Sequence, residues 1–260
     1  MDVKKIEKYI EYGQTKVKTY FKEKKFSNNG YKIKYMLEKN DSDKLVVIFS
    51  GFTRIGIKAR YNYNRSLKDI KVNKLFILDD FGYDGRGAYY LGHDMDFMIE
   101  ESVQSLIEHI QKKLSVNQTL YVGSSKGGYA AIYFGVKDKN SIIISGAPQY
   151  KLGNYLNLND YMRENSLQYV IGRDVTEEKI ELLNNLMKSR LFECKDNNNS
   201  LINLHYSTEE HTYKNDIKFL LEDLNEYGYN VQSDVGSYTD HMEVSLHFPK
   251  YLVETVSKYV

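Results

Sequence analysis

Apolar positions along this chain follow two alternating rhythms. Lys44-Leu-Val-Val-Ile-Phe49, Leu75-Phe-Ile-Leu78, Leu120-Tyr-Val122, Ser141-Ile-Ile-Ile-Ser145 and Leu201-Ile-Asn-Leu-His-Tyr206 are short, nearly continuous apolar runs. That is the pattern of strands covered on both faces of a parallel sheet. Between the runs the period lengthens. Ile99, Val103, Leu106, Ile107, Ile110 and Leu114 share one face of a helix predicted over Met95–Leu114. Ile217, Leu220, Leu221 and Leu224 predict a second, and Leu252, Val256 and Tyr259 a last one with Pro249 near its start. A short strand is expected near Val231. At the front, Val17–Phe21 and Tyr31–Leu37 alternate apolar with polar around the turn cluster Ser27-Asn-Asn-Gly30, as an antiparallel pair at a sheet edge would.

Residues 149–200 break the alternation. They are rich in Tyr and Asn. They hold a predicted helix over Thr176–Met187, with Asp174 as N-cap and Glu177 as capping-box partner, and end in the solvated tract Lys195–Ser200. An excursion this long often covers a site. The pattern therefore predicts an α/β fold: one domain over 1–260, a mostly parallel sheet with helices on both faces, and 149–200 as a helical, cap-like insertion.

The most informative stretch joins a strand to a helix. Leu120-Tyr-Val122 runs into Gly123-Ser-Ser-Lys-Gly127, and Tyr129, Ala130, Ile132 and Tyr133 then begin a helical pattern. Gly-x-Ser-x-Gly in that context is a nucleophile elbow with Ser125 at its centre. The turn is sharp enough that the residues two before and two after the serine must be small, and Gly128 lets the helix approach the sheet. The helix begins beneath the hydroxyl and points its free N–H groups and positive dipole end at the reaction site.

Composition narrows the alternatives. Lys plus Arg number 36 and Asp plus Glu 35, so no charge excess recommends nucleic acid or a membrane surface as partner. The single cysteine, Cys194, rules out an internal disulfide framework and a CxxC metal site. Met-Asp-Val-Lys-Lys-Ile6 lacks the apolar core of a signal peptide, and no run is long enough to span a membrane, so a cytoplasmic protein is expected. No two histidines have metal-ligand spacing together with a carboxylate; neither a metal nor a cofactor is expected.

A serine nucleophile needs a general base, and the base needs an orienting acid. In this strand order the acid follows a later strand and the histidine follows the last. The acid is sought in Ser207-Thr-Glu-Glu210, with Glu210 favoured by its spacing from Ser207 and Glu209 close behind; Asp216 reads as a first-turn acid of the next helix. Of six histidines, His241 in Ser237-Tyr-Thr-Asp-His-Met-Glu243 fits the base. His109 reads as a surface residue, His205 as packed within a strand, and His247 as falling in or just before the last helix; His93 is placed to touch substrate, and His211 to act as base only with an acid from elsewhere. The oxyanion donors are expected to be the Lys126 amide and an amide of Ser50-Gly-Phe-Thr-Arg54, that of Phe52 or Thr53, with Phe52 preferred. Asp79-Asp-Phe-Gly-Tyr-Asp-Gly-Arg-Gly-Ala-Tyr-Tyr90 starts at the carboxyl end of a parallel strand, where open α/β sheets bind ligands. Asp79, Asp80, Arg86 and Tyr90 would suit sugar hydroxyls, whereas the glycine spacing fits no phosphate loop.

These segments resemble the α/β-hydrolase superfamily over nearly the whole chain in element order. Phe49-Ser-Gly-Phe-Thr53, Asp79-Asp80 with Gly85-Arg-Gly-Ala-Tyr-Tyr90, Gly123-Ser-Ser-Lys-Gly-Gly128 and Ser145-Gly-Ala-Pro148 resemble more narrowly one bacterial branch. It contains capsular-polysaccharide biosynthesis proteins and the accessory Sec system proteins that O-acetylate glycans on exported adhesins, the latter similar over their catalytic region only. The resemblance implies a Ser–His–acid site acting on an ester or acetyl group of a carbohydrate or other polar substrate. The expected activity is thus that of a serine esterase or O-acetyltransferase, with a small-molecule or glycan ester as substrate. A homo-oligomer or a polysaccharide- or export-pathway partner is also envisaged. The alternative is a non-catalytic hydrolase-fold assembly module in such a pathway; a peptidase or lipase is a third reading, the polar insertion arguing against a lipase lid.

Overall fold

The computed structural model describes residues 22–196 and 198–260. Eight strands form one sheet: β1 (Lys24–Asn28), β2 (Tyr31–Glu38), β3 (Lys44–Phe49), β4 (Asn73–Leu78), β5 (Gln118–Ser124), β6 (Ile142–Gly146), β7 (Leu201–Ser207) and β8 (Asn230–Gly236), in the spatial order β1-β2-β4-β3-β5-β6-β7-β8. β3 to β8 are parallel, and β2 pairs antiparallel with both β1 and β4. The fold is α/β, as the two rhythms predict.

The alternation within each run decides which layer a side chain joins. Leu45, Val47, Phe49, Leu75, Ile77, Tyr121 and Ile143 pack on one face, beneath α1 (Met98–Leu114), α2 (Lys126–Gly135), α3 (Glu177–Cys194) and α4 (Lys218–Glu226). Val46, Ile48, Phe76, Leu120, Val122, Ile142 and Ile144 face the other way, against Phe248, Leu252 and Val256 of α5 (Val244–Tyr259). Burying both faces removes enough apolar area, at about 25 cal/mol per Å², to dominate the folding energy. Phe248 lies where a Cβ on Gly146 would be, 2.5 Å from its Cδ2, so the glycine ending β6 lets α5 close on the sheet.

Several boundaries differ from the sequence reading. The edge hairpin is β1–β2, turning at Asn29 and Gly30 with φ of 48° and 80°. Two successive left-handed residues make a tight hairpin turn, so the strand before it lies in the turn cluster's own flank. Val17–Phe21 falls outside the described residues. Helix α1 starts at Met98 rather than Met95: Asp94, Met95 and Phe97 have positive φ, and the Asp96 carboxylate accepts the Met98 amide at 3.0 Å. Helix α3 starts after Thr176, whose hydroxyl accepts the Lys179 amide, and it continues to Cys194; Asp174 is not its cap. The tract after α3 is partly anchored, with Asn198 donating to the Val136 carbonyl at 2.6 Å. Between β6 and β7, short helical turns over 152–171 precede α3.

Candidate active site

Ser125 stands between β5 and α2 with φ 52° and ψ −123°, a conformation that side-chain-bearing residues rarely adopt. Its neighbours enforce it. A Cβ on Gly123 would overlap the Gly127 backbone, one on Gly127 would come within 2.8 Å of the Phe49 carbonyl, and one on Gly128 within 2.8 Å of Ser145 Oγ. The turn is held from beside by the Ser125 amide donating to the Gly146 carbonyl at 2.8 Å. Such packing is what a nucleophile elbow requires.

The other two groups arrive from the carboxyl ends of neighbouring strands. Glu210 lies in the turn after β7, its side chain buried, with the Thr212 hydroxyl donating to Oε1. His241 opens a short 3₁₀ turn after β8, capped by the Asp240 carboxylate accepting from the Met242 amide at 2.8 Å. His241 Nε2 is 2.9 Å from Ser125 Oγ, and Nδ1 is 2.6 Å from Glu210 Oε1. A carboxylate only accepts, so Nδ1 carries the hydrogen and Nε2 is free to accept the serine's. Burial alone would raise the Glu210 carboxyl. The hydrogen bond and charge of His241, with smaller help from Thr212 and His211, outweigh it and hold the carboxyl below its ordinary value.

Glu209 is exposed and its amide donates to Ser207 Oγ at 3.2 Å, so of the Glu pair only Glu210 meets His241. Asp216, in the helical turn leading into α4, is buried and accepts the Tyr150 and Lys151 amides at 2.6 and 2.8 Å, fixing the start of the helical excursion. His205 is packed against Tyr238 and pairs with Asp234 at 2.6 Å; His109 is exposed, His247 lies within α5, and His93 packs edge-on against Tyr169.

A pocket of about 950 Å³ opens over Ser125 and His241, bounded by Phe52, Asn62, Arg86 and Tyr155 among others. It is large enough for a sugar-sized group. The candidate substrate groups divide here. Arg86 borders the pocket, its guanidinium 5.1 Å from the Phe52 ring centre and 5.5 Å from that of Tyr161, with Nε donating to the Thr53 carbonyl. Asp79 and Tyr90 lie wholly beneath the surface. Asp79 accepts from the Ala88 and Tyr90 amides and pairs with Lys126 Nζ at 2.8 Å; the Tyr90 hydroxyl accepts the Ser50 amide. Asp80 pairs with Lys34 of β2 at 2.5 Å. Three of the four therefore brace the 79–90 loop: Asp79 satisfies its buried amides, Asp80 ties it to β2, and Tyr90 ties it to Ser50. Lys126 heads α2, where the first amides lack intrahelical partners. Burial pushes its ammonium down against the pull of Asp79. Phe52 sits at the pocket wall, after a Gly51 amide donating to Asn62 Oδ1 at 3.0 Å.

Sequence reading missed Gln149. This buried side chain follows β6, next to the elbow strand in the sheet, and its Nε2 lies 3.1 Å from Ser125 Oγ. The only hint was a polar residue directly after Ser145-Gly-Ala-Pro148. Among the described residues no three His, Cys, Asp or Glu side chains are grouped to hold a metal ion, and no helix is long and apolar enough to cross a membrane.

Sheet order, elbow and the placing of the three polar groups define a class: the chain has the α/β-hydrolase fold. Solved structures make the likeness specific. The capsule O-acetyltransferase of Neisseria meningitidis serogroup A superposes with a TM-score of 0.73 at 24% identity, over 90% of this chain and 93% of that one. A glycosylation-associated protein complex (Gap123) from Streptococcus agalactiae gives 0.74 at 21% identity, over 92% of this chain but 47% of that one. The fluorophosphonate-binding serine hydrolase FphF of Staphylococcus aureus gives 0.61 at 12%, over 91% and 96%. No protein-family model and no curated protein matches the sequence.

Proposed function

We propose that this protein is a serine-dependent acyl enzyme, an esterase or O-acyltransferase, acting on an ester of a carbohydrate or other polar substrate. One observation carries the reading: Ser125, His241 and Glu210 form a single hydrogen-bonded row at the mouth of a sugar-sized pocket. Ser125 Oγ attacks the acyl carbon as its proton passes to His241 Nε2. Glu210 holds the imidazole in the right tautomer and balances the imidazolium. The Lys126 amide and that of Phe52 receive the oxyanion, each such donor lowering the barrier by about 3–4 kcal/mol. The bond to the departing alcohol breaks as His241 returns the proton to it. Water or a sugar hydroxyl then gives its proton to His241 and attacks the acyl-serine, restoring Ser125 and releasing acid or new ester.

Arg86, Asn62 and Tyr155, set in an otherwise mainly apolar lining, offer polar partners to a hydroxyl-bearing substrate. The likeness to a capsule O-acetyltransferase, a mutant of which is also solved with CoA, supports acetyl transfer to a glycan. The excursion between β6 and β7 is assigned as a cap on a single domain.

The test is covalent labelling with a fluorophosphonate probe. Wild type is expected to label and Ser125→Ala to lose all labelling. A folded wild type that neither labels nor cleaves p-nitrophenyl acetate leaves the assembly-module reading in its place. Release of acetate, against its transfer from p-nitrophenyl acetate or acetyl-CoA to added oligosaccharide, separates hydrolase from transferase.

A further inference from the structure

Gln149 has no part in the row of three, yet it touches the nucleophile. Its Nε2 is 3.1 Å from Ser125 Oγ and 3.5 Å from His241 Nε2, and its Oε1 accepts the Tyr89 hydroxyl at 2.9 Å. Gln149 and Tyr89 are both buried, so water does not substitute for either contact.

The amide's orientation follows from its neighbours. His241 Nδ1 donates to Glu210, which leaves Nε2 a lone pair. Turning the Gln149 oxygen towards that lone pair would oppose two acceptors and draw the Ser125 hydrogen away from His241. With Nε2 inward, the amide donates to Ser125 Oγ. The hydroxyl hydrogen then has two acceptors within reach, His241 Nε2 at 2.9 Å and Gln149 Oε1 at 3.4 Å, and the nearer one, His241, takes it. In this orientation Tyr89 donates to Oε1 from behind. Tyr89 itself packs edge-on against Phe52 at the pocket wall and against Tyr129 of α2.

We infer that Gln149, held by Tyr89, is the residue that aims the Ser125 hydroxyl: by donating to Oγ it directs the serine's hydrogen onto His241 Nε2. The inference rests on Ser125 being the nucleophile. Three elements thereby share the serine: the β5–α2 turn supplies it, the turn after β8 receives its proton, and the end of β6 orients it. The alternation 79–90 loop to Tyr89 to Gln149 also gives that loop a grip on the nucleophile without a contact to it.

Substitutions separate aiming from mere filling. Gln149→Leu keeps the volume and deletes the donor. Gln149→Glu keeps the shape but offers the Ser125 hydrogen a rival acceptor at pH 8. We expect fluorophosphonate labelling to slow about tenfold in Gln149→Leu, the worth of one neutral hydrogen bond, and at least tenfold further in Gln149→Glu. For p-nitrophenyl acetate the loss should fall on kcat, with KM within about twofold. Tyr89→Phe, which leaves Gln149 in place but unties its oxygen, should slow labelling by a smaller factor of about three. If Gln149→Leu does not fold, Tyr89→Phe carries the test. Wild-type rates in Gln149→Leu, equal rates in the Leu and Glu variants, or an unchanged Tyr89→Phe where it alone can be read, would overturn the inference. Failure of wild type to label at all, or labelling that survives Ser125→Ala, would instead remove the nucleophile assignment on which it rests.

Discussion

Glu210 shows how one side chain serves both the fold and the site. Its carboxyl is held below the usual range because His241 and Thr212 outweigh the cost of burying it. A depressed carboxyl contributes stability that is present above the unfolded value, about 4.3 for Glu, and is lost as pH falls through the lower folded value. Urea titrations of wild type and Glu210→Gln should therefore differ at pH 7, and the gap should close through the acid range. At pH 8 the same variant should label with fluorophosphonate roughly a thousandfold more slowly, because an amide no longer imposes the tautomer that leaves Nε2 free. At this scale much of the candidate site is legible in the sequence. Ser125 and His241 announce themselves by motif and by order along the chain, and Glu210 is distinguished from Glu209 by a three-residue step from Ser207 that turns it inward. Asp79 and Tyr90 are buried rather than open to the pocket, which the sequence does not reveal. A polar residue at a strand's carboxyl end looks the same in sequence whether it faces a ligand or satisfies the amides of its own loop.

The elbow and the helices around it set the next scale. The Gly127 backbone fills the space a side chain at Gly123 would need, so Gly123→Ala should destabilise by about 2–4 kcal/mol or displace the turn. Calorimetry should show a lowered Tm together with lost labelling. Lys126→Met leaves Asp79 charged and unpaired in the interior, and should cost about 3–5 kcal/mol in urea unfolding. Thr176→Ala should cost less, near the low end of about 0.5–2 kcal/mol, because its capping bond is long at 3.4 Å. Most helices and strands followed from periodicity, but β1, which ends inside the span read as a turn cluster, and the helical turns over 152–171 did not, nor did the element ends. Met98 begins α1 because Asp96 and a run of left-handed residues stop the helix there, and apolar spacing carries no trace of that.

Over the whole molecule, the excursion between β6 and β7 is tied down at both ends. Asp216 holds its first amides, and Arg190 of α3 donates to Glu100 of α1 and to Tyr133 of α2 at 2.8 and 2.9 Å. These pairings join helices more than fifty residues apart in the chain, and no local sequence pattern encodes them. Arg190→Met should leave the sheet intact and speed amide hydrogen exchange selectively in 177–194. Uniform protection there would show that apolar packing alone holds α3. The three groups in the row come from three strand ends, and Ser125 and His241 are 116 residues apart. A chain emerging at about 5–20 residues per second carries its serine for roughly 6–23 s before the histidine has been made. During that interval the nascent polypeptide holds an elbow serine with no histidine beside it, so under the proposed function its acyl chemistry begins only once the last strand has docked.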